Sequence, residues 1–436
     1  TITVAEAIAT YQLTNEDGST YTPLYSGSGT KAVRSNAALS KFKEVRVDGV
    51  TVDSSNYTLT EGSTIVTFKE SYLKTLSEGE HTLKVISSDG FASGKISVKT
   101  VVSITQMITN LYNSSTKTTV TNNSINYQYD TTNNLMKDVG DNIRYYGASP
   151  NNYIYFNCSD YSNQSSSTCE LWRIIGVFDG NVKIMRNESI GSMPYDNDNE
   201  DTYLQSITNN DNADVRTELL RYNLGNDENA MKIAESLWNG ENDYSVSSLQ
   251  KILNNYYYNG LKYIGNSTYD FTNIGLKNDV TRNMIAKVKY NLGGSDNETS
   301  YSDQIYSYER GTAVYSGNAT TWIGKIAIPY PSDYGYAADL SLCQKQLDSY
   351  DDTTCTTNNW ISSIVTNNDL VVQLLTPRLT QHGGFTAWGI RRSGEISSTY
   401  PAFSGGDVIP TFFISSEFKI KPGTEGSNSD PYQLSV

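Results

Sequence analysis

The chain has 436 residues, enough at ~150 residues per domain for two or three domains with cores of their own. Its 33 basic and 47 acidic residues leave a formal net charge of −14, which sets the surface against phosphate backbones. The densest basic spot is Arg391-Arg392, so no nucleic-acid partner is expected, and no apolar run reaches the ~20 residues of a membrane-spanning helix, so no membrane insertion of this stretch is expected either.

Thr1 stands first and no signal or transit segment is visible, which reads as a mature or trimmed chain. Thr1, Ile2, Thr3 and Val4 alternate like a strand, Ala5–Tyr11 continues as a short helix or strand, and the rest, through Gly27-Ser28-Gly29, reads as linker. Residues 1–30 are thus expected to be an extension without a core, with Thr1–Val4 as a strand for docking on another subunit. From Lys31 to Val102 the pattern is all-β. Val45/Val47, Val50/Val52, Tyr57/Leu59, Val66/Phe68, Leu83/Val85 and Ile96/Val98 alternate with polar residues. Asp48-Gly49, Glu61-Gly62 and Asp89-Gly90 punctuate these strands, and Asp-Gly suits a two-residue hairpin because both positions accept positive φ. Short strands at regular spacing argue for a sandwich, and Glu70–Leu76 reads as a helical turn plugging its end.

After Ser103 the character changes. Ile104, Ile108, Leu111 and Tyr112 sit at helical spacing. Strands are expected near Tyr153–Asn157, Leu171–Phe178 and Asn181–Arg186, and helices around Asp214–Tyr222 and Ser248–Tyr256. Further strand-like runs are Ala286–Tyr290, Trp322–Ile328, Val371–Thr376, Ala387–Ile390 and Thr411–Ser415. The order is mixed rather than alternating βαβ, which points to a large α+β region over residues 103–436.

Two stretches resemble known families. The run VDGVTVDSSNYTLTEGSTIVTFKESYLKTLSEGEHTLKVISSDG, within Phe42–Val98, is similar to the X2-type immunoglobulin-like modules of Gram-positive surface proteins. That resemblance implies an Ig-like sandwich acting as a spacer or stalk. Over Ser103–Val436, the strings NIRYYGASPNNYIYFN, ELWRIIGVF, VKIMR, YPSDYGYA and LLTPR resemble an uncharacterised domain of Firmicutes surface and pilin-like proteins. That domain is related to the C-type-lectin-like, formylglycine-generating-enzyme type of fold. Its usual ending resembles G-V-R-P-V-F-Y-L, whereas this chain has Val408-Ile409-Pro410-Thr411-Phe412-Phe413, without the arginine. The resemblance implies location and fold rather than an activity.

Cys158, Cys169, Cys343 and Cys355 fall as two pairs, each enclosing a short polar loop. Three connectivities are possible; local pairing is the economical one. A zinc site usually needs tighter spacing, and His81 and His382 are the two histidines available to help. Disulfides and an extracellular setting are therefore expected. A serine or cysteine hydrolase needs a histidine base; His81 falls on a strand of the small module and reads as structural, and His382 lies in a loop with no G-x-S-x-G elbow. Asp196, Asp198, Glu200 and Asp201 alternate as hard-oxygen ligands for Ca²⁺ would, but Asp201 and Ile207 occupy the Gly and Glu positions of an EF-hand, and a solvated acidic loop is the competing reading. No other cofactor is expected. Tyrosine is abundant, 33 against 11 Phe and 5 Trp, and suits surfaces where a ring face and a hydroxyl both serve. Phe385 and Trp388, beside His382 in an expected surface loop, are the candidate ligand contacts.

The sequence thus points to a non-enzymatic structural subunit of an extracellular bacterial surface assembly, a filament, pilus-like fibre or surface layer, whose main partner is further copies of itself. The alternative is a cell-surface adhesin binding glycans or host protein through the large region. No L-P-x-T-G sorting motif is present to fix the mode of attachment.

Overall fold

A computed structural model of the chain describes residues 8–27, 29–99, 102–196, 242–264, 268–315, 317–365, 371–379, 386–401 (backbone alone from 398) and 405–435. The expected strand Thr1–Val4 and helix Asp214–Tyr222 lie outside them. Among the described residues strand dominates and the helices are short. The chain divides into two compact units, Thr1–Val102 with Ile420–Gly423, and Ser103–Lys419 with Thr424–Val436.

The smaller unit is a two-sheet sandwich. One sheet runs Ala9–Tyr11, Gly90–Val98, Gly79–Ser87, Phe42–Val47, Val50–Thr51, with Leu24–Tyr25 also along Gly90–Val98; the other runs Leu13–Thr14, Lys31–Ser35, Thr64–Phe68, Tyr57–Thr60. Val45, Val47, Val66, Phe68, Leu83, Val85, Ile96 and Val98 all face the core, as period-2 alternation requires. The turn Glu70–Leu73 adds buried Leu73 to it.

Two expectations change. Residues 1–30 are not a coreless extension, because three strands between Ala9 and Tyr25 belong to the sandwich and Tyr25 is buried in it. Tyr11, Leu13 and Tyr21 pack against the same core, which is enough apolar surface to hold the segment down. The Asp-Gly pairs also differ. Asp48 and Gly49 take φ of 50° and 81°, as a tight hairpin demands, but Gly90 is needed for space, since a Cβ there would sit 1.9 Å from the Ala9 carbonyl oxygen.

In the larger unit, Ser103 caps the helix Ile104–Ser114, which buries Ile104, Ile108 and Tyr112. An antiparallel sheet follows in the order Thr118–Asn122, Ile125–Asp130, Leu135–Lys137, Ile143–Tyr145, Glu170–Phe178, Asn181–Arg186, Thr411–Ile414, Ile326–Ala327, with Tyr153–Phe156 also on Glu170–Phe178. A second sheet runs Ser192–Met193, Gly406–Asp407, Val372–Pro377, Thr386–Ile390, Ile396–Pro401. The expected run Trp322–Ile328 is two strands, Thr321–Gly324 and Ile326–Ala327, in different sheets. The helix begun at Ser248 is α-helical to Lys251 and π-helical over Ile252–Tyr257. Among the described residues, no helix is long and apolar enough to cross a membrane.

The sulfurs pair locally, Cys158 with Cys169 and Cys343 with Cys355. The first staples the ends of Tyr153–Phe156 and Glu170–Phe178; the second ties the helix Thr353–Thr357 to the loop after Pro331–Ala337. Two disulfides fit an oxidising, extracellular setting.

Candidate functional site

Strand register puts charge where the sheet should be apolar. Arg144 pairs with Gly176, Gly176 with Lys183, and Lys183 with Phe413, so one row across four strands carries two cations separated by a glycine. Gly176 has no room for a side chain: a Cβ would lie 2.2 Å from the Ile143 carbonyl oxygen. Both cations are buried.

The helix Pro331–Ala337 supplies their counter-charge. Pro331 opens it, and Asp333, at its third position, accepts from the Tyr330 amide at 2.9 Å, which closes a capping box. The same carboxylate accepts from Arg144 Nη1 at 3.0 Å and Lys183 Nζ at 2.5 Å. Burial alone would raise the Asp333 carboxyl, but Lys183 and Arg144 outweigh it and hold the group below its ordinary value. Asp138 takes the other edge of Arg144, at 2.5 Å from Nε, and its second oxygen accepts from the amides of Gly140 and Asn142. The Arg144 guanidinium also lies 4.5 Å from the Phe178 ring centre and 4.9 Å from that of Tyr336.

A third pair adjoins these. Glu309 ends the helix Ser302–Glu309 and is wholly buried, accepting from the Ser332 amide at 2.8 Å, the Ser332 hydroxyl at 2.5 Å and Arg310 Nη1 at 2.7 Å. Burial pushes its carboxyl up, against the pull of Arg310. Arg310 is the member that reaches solvent. Its side chain is 24 % exposed and stacks 3.4 Å from the Tyr306 ring centre. Three anions and three cations thus balance beneath a cleft of about 510 Å³.

The cleft is lined by the rings of Phe178, Tyr306 and Phe413 and by the polar residues Asp179, Asn181, Lys289, Asn291 and Arg310. Asn142 Nδ2 bonds the Tyr306 hydroxyl at 2.8 Å, and Gly140 permits that approach, since a Cβ there would sit 2.0 Å from the hydroxyl. Arg310 Nε and Nη2, Lys289 Nζ and the side-chain amides of Asn181 and Asn291 have no partner among the described residues. Oriented cations, amides and rings converging on one concavity are equipment for holding a polar ligand.

The sequence-derived candidates fall elsewhere. Trp388 is fully buried on the strand Thr386–Ile390 and donates to the Ser295 carbonyl at 3.2 Å, so it is a core residue and not an exposed ligand contact. His382 and Phe385 lie outside the described residues, as do Asp198, Glu200 and Asp201. Asp196 is buried and accepts from the Ser248 amide at 3.1 Å, which is not a solvated loop position. Among the described residues, no group of three His, Cys, Asp or Glu could hold a metal. The buried charges themselves were missed, although Arg144, Lys183 and Asp333 stand inside the motifs NIRYYGASP, VKIMR and YPSDYGYA. The available signal was a lone charge flanked by apolar residues within a strand, as in Val182-Lys183-Ile184.

No family model matches the chain, and no curated protein matches it. Among solved structures, bovine butyrophilin is similar over 40% of this chain and 90% of that chain, at 12% identity and a TM-score of 0.18, which carries no argument about fold or function.

Proposed function

We propose that this chain is a non-enzymatic structural subunit of an extracellular bacterial surface assembly, a filament, pilus-like fibre or surface layer, built by contacts between copies. The observation that carries this reading is the edge strand Tyr57–Thr60. Among the described residues it ends its sheet, its last three residues are exposed, and it holds neither charge nor proline. Chains that stay single guard such edges with lysine, proline, a bulge or a cover. Among the described residues, the other strands that end the two sheets are shorter, Ala9–Tyr11, Val50–Thr51 and Leu13–Thr14. A neutral, threonine-rich strand, Thr118–Asn122, likewise ends the large antiparallel sheet. Strand addition draws affinity from main-chain hydrogen bonds, and the alternating segment Thr1–Val4 has the composition of a donor. A head-to-tail contact of this kind, repeated without closing, gives an open filament. The Ig-like and C-type-lectin-like identities of the two regions, and the Gram-positive surface, rest on the sequence resemblances and are part of the proposal.

Deleting residues 1–7 tests the donor. The cut stops there because Ala9–Tyr11 belongs to the sandwich itself. Loss of polymer with an unchanged fold supports the reading, and normal polymer refutes strand donation by this segment. A second reading, a surface adhesin binding glycans through the larger unit, is favoured by the cleft over Arg310.

A further inference from the structure

We infer that the cleft beside Arg310 binds an acidic carbohydrate, its carboxylate on Arg310 and Lys289 and its ring against the aromatic wall; this rests on the adhesin reading and names its ligand. Arg310 is a prepared anion receptor. Glu309 and the Tyr306 carbonyl hold Nη1, the Tyr306 ring supports the guanidinium plane, and Nε and Nη2 are left over. A planar fork fixed in this way matches a carboxylate at little entropic cost. Lys289 is exposed at the same mouth, so two cations meet at one cleft of a chain whose net charge is −14. The groups of opposite sign nearby are already committed: Glu309 to Arg310 and Ser332, Asp138 to Arg144, Asp333 to Arg144 and Lys183. Asp179, also at the cleft, is the acidic group left on the rim.

The rest of the lining selects a sugar over a bare anion. The side-chain amides of Asn181 and Asn291 each offer a donor and an acceptor, the pairing that a hydroxyl needs. Phe413, half-buried at the cleft, supplies apolar ring surface for the C–H face of a pyranose, while Tyr306 and the buried Phe178 are occupied by Arg310 and Arg144. A volume of about 510 Å³ suits one or a few sugar units rather than a polymer buried along its length.

The test is a glycan array carrying uronate-bearing, sialylated and neutral glycans, probed with the full chain, then titration with trigalacturonate and its methyl ester. Binding confined to acidic glycans is expected, with about a tenfold or greater loss on esterification and a similar loss in Lys289→Glu and Arg310→Gln. Arg310→Gln leaves buried Glu309 without its cation and can disturb folding, whereas Lys289 is exposed, so Lys289→Glu reports on the cleft alone. Neutral glycans bound as tightly as acidic ones, with Lys289→Glu silent, would overturn the acidic ligand and leave adhesion standing. A blank array would overturn both, and binding of an acidic peptide such as tetraglutamate in place of any glycan would overturn the carbohydrate.

Discussion

His81 faces an acceptor at each ring nitrogen, Asp48 Oδ2 at 2.6 Å from Nδ1 and the Ser77 carbonyl at 2.7 Å from Nε2. Both bonds together require the doubly protonated ring. The Ser77 carbonyl first, and Asp48 second, raise the imidazole above its ordinary 6.5, while His81 and the Thr82 amide lower the Asp48 carboxyl below 3.8. The histidine therefore stabilises the sandwich fully below pH ~6.5 and loses that contribution as pH rises through its folded value. The aspartate contributes fully above pH ~3.9 and loses it as pH falls through its own. With two histidines in the chain, an NMR titration resolves the ring directly. His81 is expected to titrate above 6.5 and to move back down in Asp48→Asn; an unshifted His81 contradicts the geometry. The buried network makes a larger claim. Removing one member of a buried ion cluster strands its partners, at about 3–5 kcal/mol. Asp333→Asn, which strips the charge shared by Arg144 and Lys183, should lower the free energy of denaturant unfolding by that order. A change within ~0.5 kcal/mol, the size of an ordinary surface substitution, would mean that the two cations are not held by this carboxylate.

Elements were legible where one face meets water. The sandwich strands show period 2 because the other face is solvated, and the helix at Ile104 shows its stripe for the same reason. Thr386–Ile390 is buried at every residue, so it offers no alternation to place Trp388 inside. The ion network was illegible for another reason: Arg144, Asp333 and Glu309 meet only after the sheet, two helices and a loop are in place, and a charge in a strand ordinarily reads as outward-facing. Tyrosine misleads in the same way. Tyr195, Tyr244, Tyr290, Tyr334 and Tyr350 are buried, and each hydroxyl donates to a backbone carbonyl, of Leu375, Ile326, Lys325, Gly394 and Gly335 respectively. The cysteine pairs were legible as far as spacing allows, and the folded chain selects the local connectivity of the three. Each staple closes a short loop, with separations of 11 and 12 residues. Reduction should therefore lower stability by about 2–4 kcal/mol per bridge, read as a fall in thermal midpoint with and without reductant. An unchanged midpoint after full reduction would show that packing alone holds these loops.

Across the whole molecule, two disulfides and a buried charge network hold the larger unit, and the sandwich carries an edge strand without charge or proline, on which the proposed mechanical role rests. The sequence placed that edge strand at Tyr57/Leu59 without revealing that it ends its sheet, since edge position is set by partners and not by the strand's own residues. The polar edge also supplies the means of testing the role without disturbing a core. Leu59 is 40% exposed, so a lysine there adds a charge in solvent and disfavours strand addition while leaving the sandwich packed. Negative-stain microscopy of the purified full chain beside Leu59→Lys is the direct measurement. The account predicts regular filaments or layers from the parent chain and isolated particles from Leu59→Lys. Isolated particles from both at every concentration examined, or identical polymers from both, would contradict it.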